Sequence, residues 1–159
     1  MKFLKTHYGR AINVIKSDTV SIPNPAGLGS TGVATSTVSN KLVDSVANFT
    51  TNLIGAIIVN DTDGTVANVL NVEDSNTLLL SANIMATAET YSVYNSDNNQ
   101  GCALYIPKQT PASVKVMTVG GDVIIFTLCG DTNASSILPV NVLKVFSTDT
   151  ALTGLIAIW

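Results

Sequence analysis

The chain has 159 residues, of which 46% are hydrophobic, enough for one packed domain or two small ones, but only 12% are charged, against about a quarter in an ordinary soluble domain. Its net charge of -3 argues against nucleic acid, whose binders present a basic face, and no window reaches the ~18 unbroken apolar residues of a membrane span. Ser, Thr and Asn supply the polar remainder, so much of the surface is neutral and easily buried against other proteins, which points to permanent subunit contacts.

Residues 1–8, MKFLKTHY, combine lysines and aromatics without a period and read as an extended arm. Thr6, His7, Gly9 and Arg10 interrupt the apolar run that a signal peptide needs, so synthesis in a cytoplasm without secretion is expected. Residues 11–15 alternate as a strand. The segment 17–32 is rich in Pro and Gly and reads as a linker. A second module follows over 35–95. Residues 41–49, KLVDSVANF, suggest a short helical turn with Asp44 or Ser45 as N-cap and Val46 and Phe49 facing inward. Strands are predicted at 54–59, 66–72, 77–80 and 91–94, with Asp63-Gly64 as a tight hairpin turn between the first two. Turn formers over 96–101 close this module. The remainder is strand after strand, at 103–106, 114–119, 123–128, 140–146 and 155–159, with Gly120-Gly121 predicted as a two-residue hairpin needing positive φ at both positions. The expected fold class is all-β: two small β-barrel or β-sandwich modules, one inserted into the other, with residues 1–27 and 101–159 forming one and 28–100 the insertion.

Few residues suggest chemistry. Gly27, Gly29 and Gly32 match the letters of a dinucleotide fingerprint, but no strand–turn–helix context surrounds them, and a flexible linker is the better reading. Residues 60–64, NDTDG, resemble the front of a calcium loop, yet Leu70 stands where the bidentate Glu belongs, and a hairpin explains the segment. The single histidine, His7, rules out a histidine metal cluster. Asp18, Asp44, Asp61, Asp63, Asp97, Asp122, Asp131 and Asp149 fall at turns and read as solvated turn formers. Cys102 and Cys129 read as buried small hydrophobes. The sequons at Asn48, Asn60 and Asn133 are those expected by chance in an Asn/Thr-rich chain. No catalytic, cofactor or metal site is expected. Trp159, the only tryptophan, reads as a core anchor before an interface anchor.

The motifs ALYI, VKVMTVGGDVIIFT, ILPV and KVFSTDT…TGLIAIW over 101–159, with INVIKSDTVSIPNPAG over 12–27, resemble short tailed-phage virion proteins of the head spike base type. KLVDSVANF, GAIIVNDTDGTVANVLNV, LLLSANI and YSVY resemble a small β module that recurs in phage structural proteins, and here it interrupts the spike-base pattern. The resemblance implies a virion structural protein on the capsid surface, a decoration or vertex protein that binds the major capsid protein and carries a fibre protein. An adhesin-like module for a host surface glycan, or a tail-associated structural protein, is the alternative. A homo-oligomer, trimer or pentamer, is expected. Ile137, Leu138, Pro139 and Val140 form the candidate contact strand with Trp159, because Pro139 suits an edge or bulge. Lys2, Phe3, Lys5, Tyr8 and Arg10 form the candidate capsid-binding arm, where positive charge gathers in an otherwise acidic chain.

Overall fold

The computed structural model describes residues 8–96, 99–107, 112–128 and 135–159. The chain divides into two compact units, Met1–Asp18 with Gln100–Trp159, and Thr19–Asn99. The fold is all-β, and each unit holds one six-stranded antiparallel sheet.

The first unit contains β1 (Ala11–Asn13), β8 (Cys102–Ile106), β9 (Ala112–Thr118), β10 (Val123–Leu128), β11 (Ser136–Val145) and β12 (Ile156–Ile158), in the order β1-β12-β8-β11-β9-β10. Alternation builds it: along β8, Cys102, Leu104 and Ile106 are buried while Ala103 and Tyr105 are half-buried, as the period of two requires. Leu104 lies opposite both Leu138 of β11 and Ala157 of β12, so three strands contribute neighbouring side chains to one buried layer. The 120–121 hairpin departs from the expected two-residue turn. Gly121 N–H donates to the Thr118 carbonyl and Thr118 N–H to the Asp122 carbonyl, and only Gly121, at φ 88°, takes positive φ. This is a three-residue loop whose last residue forms a bulge, a geometry that needs one left-handed position instead of two.

The second unit contains β2 (Leu28–Val33), β3 (Lys41–Val43), β4 (Ile57–Asn60), β5 (Thr65–Asp74), β6 (Thr77–Leu80) and β7 (Thr90–Tyr94), in the order β2-β7-β4-β5-β6-β3. Register shifts in β5 between Val69 and Asn71 and between Val72 and Asp74 bend the sheet as bulges do. Ile58, Ala67 and Val93 from one half therefore meet Leu42, Leu78 and Leu80 from the other in a single core.

Three readings of this unit are corrected. The glycine-rich segment 27–32 is not a linker: a short 3-10 turn at Pro25–Gly27 leads into β2, which pairs with β7. Its glycines answer to close approach, since a Cβ on Gly32 would lie 2.7 Å from Asp44 Oδ2 and one on Gly27 2.7 Å from the Asn95 carbonyl. Residues 41–49 form no helix, although Asp44 does cap a single turn there, its carbonyl accepting from Ala47 N–H and its Oδ1 from Val46 N–H. Leu42 pairs with Leu78 as part of β3, so tertiary pairing overrides a weak local preference; Phe49 is buried, but Val46 is 88% exposed. The Asp63-Gly64 signal belongs to a four-residue loop, because Asn60 pairs with Thr65 across it. Asn60 organises that loop: its Oδ1 accepts from the Thr62 and Asp63 N–H groups, and its Nδ2 donates to the Ile84 carbonyl and Glu89 Oε2.

Candidate interaction surface

Among the described residues no group of three His, Cys, Asp or Glu side chains is placed to hold a metal ion. Asp44, read as solvated, is instead buried; Tyr91 donates its hydroxyl to Asp44 Oδ2 at 2.7 Å, and Val46 N–H donates to Oδ1. Burial first, and then Asp44, push the Tyr91 phenol well above its ordinary range, so it remains a donor. Asp63 lies beside Glu89, whose charge raises its carboxyl pKa. Cys102 is a free, buried thiol that donates to the Val142 carbonyl, and burial pushes it up to about 12. A thiol so placed is a poor nucleophile at neutral pH. Cys129, Asp97, Asp131 and Asn133 lie outside the described residues.

The expected contact segment 137–140 is placed differently from the sequence reading. β11 is no edge strand: β8 and β9 flank it. Pro139 is accommodated because the register with β8 shifts between Leu138 and Val142, a bulge in which no ladder donor is required. Leu138 is a core residue opposite Leu104, so its side chain is unavailable to a partner. Ile137 is 47% exposed, Pro139 is exposed and Val140 half-buried. With Tyr8 and Ala103 they line a cleft of about 550 Å³. The structure thus brings Tyr8, from the expected arm, beside the expected contact segment.

Lys2, Phe3 and Lys5 lie outside the described residues. The root of the arm is held: Gly9 and Arg10 N–H donate to the Trp159 carbonyl, and Trp159 N–H donates to the Arg10 carbonyl. Trp159 is half-buried, and its indole N–H is buried without an acceptor.

The surface that sequence reading missed is β10. Val123, Ile124 and Ile125 are 52%, 41% and 50% exposed, and Val119, in the loop that leads into β10, is also exposed. An apolar run of this kind reads as a buried strand, and only its place at the end of the sheet exposes it. The second unit has a separate groove of about 610 Å³ between β2 and residues 44–53, lined by Thr31, Asp44, Asn48, Asn52 and Asn95 among others. Its two aromatics, Phe49 and Tyr91, are packed in the core with ring centroids 6.3 Å apart. No protein-family model, no curated protein and no solved structure matches this chain.

Proposed function

We propose that this chain is a virion structural protein of a tailed phage, a capsid decoration or vertex protein that works by packing and turns over no chemistry. The observation that carries the reading is the kind of surface the all-β scaffold presents: exposed aliphatic side chains on β10 and Ile137, in a chain with few charges to desolvate. The motif resemblance adds the virion context. In this reading the protein self-associates, and its arm, rooted on Trp159, reaches the major capsid protein through Lys2, Lys5 and Arg10; a fibre protein is a further partner.

The glycan-binding alternative asks for ring faces at exposed loops, where sugars stack. Among the described residues Tyr8 is the one exposed aromatic, the others being half-buried or buried, and the groove of the second unit turns its rings inward. The test is co-sedimentation of the purified chain with capsids assembled from the major capsid protein of the same particle. Saturable binding that is lost on deleting residues 1–6 is expected. Absence of binding, together with saturable micromolar binding to a panel of surface glycans, would overturn the structural reading in favour of the adhesin.

A further inference from the structure

The sheet of the first unit ends in β10, and among the described residues nothing pairs with its outer edge. The other sheet edges are short, interrupted or covered. β1 has three residues, β2 contains glycines and a register shift, and β3 is bridged by Ser36 and carries Lys41, paired with Glu73. Such devices keep edge strands from pairing with other chains. β10 has none of them: VIIFTL holds no charge, no proline and no glycine.

The backbone of β10 has a definite outward row. Thr118 N–H donates to the Asp122 carbonyl at 2.9 Å, and Ile124 and Phe126 then lie opposite Val116 and Val114. Hydrogen-bonded pairs alternate along such a ladder. Ile124 and Phe126 therefore turn their backbone groups to β9, and Val123, Ile125 and Thr127 turn theirs outward. That row is symmetrical about Ile125. A second β10 laid antiparallel across a two-fold axis there sets Ile125 against its own copy and Val123 against Thr127, and forms about six new backbone hydrogen bonds.

The side chains obey the same symmetry. Ile124 and Phe126 share the face of Val114 and Val116, which are fully buried, yet Ile124 remains 41% exposed. The buried layer is unfinished at this edge. Across the axis Ile124 falls opposite the second copy's Phe126, an aliphatic–aromatic pair made twice, and the layer continues from one copy into the next. On the other face Lys115 lies opposite Ile125, and it is already paired with Asp149 at 2.9 Å. Among the described residues the contact sets no like charges opposite one another.

We propose that β10 is a two-fold contact between two copies of this chain, joining their six-stranded sheets into one continuous antiparallel sheet. The inference rests on the self-association proposed above and specifies its contact. A contact of this symmetry closes at two copies, whereas the trimer or pentamer expected from sequence requires a head-to-tail contact.

The test uses the full chain, sized by light scattering at micromolar concentration. Wild type is expected at twice the 16.6 kDa chain mass. Ile125→Pro removes an outward N–H without touching the β9 ladder, and Thr127→Lys sets a charged side chain directly opposite the second copy's Val123, in both of the symmetry-related pairs, while leaving the buried layer intact. Both are expected at the single-chain mass with unchanged far-ultraviolet circular dichroism, while Leu70→Lys, exposed in the second unit, keeps the wild-type mass. In hydrogen exchange the amides of Val123, Ile125 and Thr127 are expected to exchange at least tenfold faster in Thr127→Lys than in wild type. A monomeric wild type overturns both this contact and the self-association reading. An associated wild type whose mass and β10 exchange survive Thr127→Lys overturns the contact alone, as does a wild-type mass of three or five chains.

Discussion

At the scale of single residues, the polar groups that matter are buried ones that replace lost water with named partners. Asn60 is fully buried, with its amide oxygen and nitrogen both engaged. Asn60→Ala removes the partner of two N–H groups and two acceptors at once, and a loss of about 3 kcal/mol is expected in urea unfolding. Tyr91→Phe leaves the Asp44 carboxylate without the hydroxyl that solvates it, and about 1–3 kcal/mol should be lost, read as a lower denaturation midpoint with an unchanged slope. Asp18 behaves differently because it is exposed. Thr148 N–H, Thr148 Oγ1 and Ser147 Oγ donate to it and lower its pKa from 3.8 to about 2. Its folded pKa lies below the unfolded one, so the stabilisation is complete above the unfolded value and is lost as pH falls through the folded value. Asp18→Asn should flatten the fall of the unfolding midpoint between about pH 4 and pH 2, measured by urea titrations across that window.

At the scale of elements, the turns show how far local signals reach. Gly-Gly and Asp-Gly mark hairpins at the expected places, but loop length is set by the register of the flanking strands: a side-chain network around Asn60 makes one loop four residues long, and the bulge at Gly121 makes the other three. Gly121→Ala places a Cβ at φ 88° and should cost about 1–2 kcal/mol. Gly120→Ala meets no atom closer than 3.4 Å and has no positive φ, so it should change stability by less than about 0.5 kcal/mol. Equal effects at the two positions would contradict the three-residue loop. β3 and β2 were illegible for a related reason. Lys41–Val43 is too short to carry a period and becomes a strand through Leu78, and Leu28–Val33 has the composition of a linker because its glycines make room for Tyr91, Asp44 and Asn95.

At the scale of the whole molecule, the unit boundaries place β2 with β7, so the second unit begins before Pro25 and ends at Asn99. A cut at Gly27 would leave the 3-10 turn behind, whereas excision of residues 19–99 removes a complete sheet. Joining Asp18 to Gln100 through a short Gly-Ser linker should leave a β-rich protein. The excised 19–99 should unfold in a single cooperative transition, as its continuous core of Leu42, Ile58, Leu78 and Val93 requires; circular dichroism and urea unfolding of the two pieces check both outcomes. The sequence by itself determined the all-β class and the positions of most strands, because alternation and β-branched residues are local properties that survive in any arrangement. It also marked residues 137–140 as unusual, since Pro139 can sit only at an edge or a bulge. Which of the two, and therefore whether Leu138 faces a partner or the core, was decided by β8 and β9 arriving on either side. The same holds for the candidate surface: VIIFTL has the pattern of a buried strand, and it becomes an edge only because the chain ends its sheet there, a fact of strand order that no local pattern encodes.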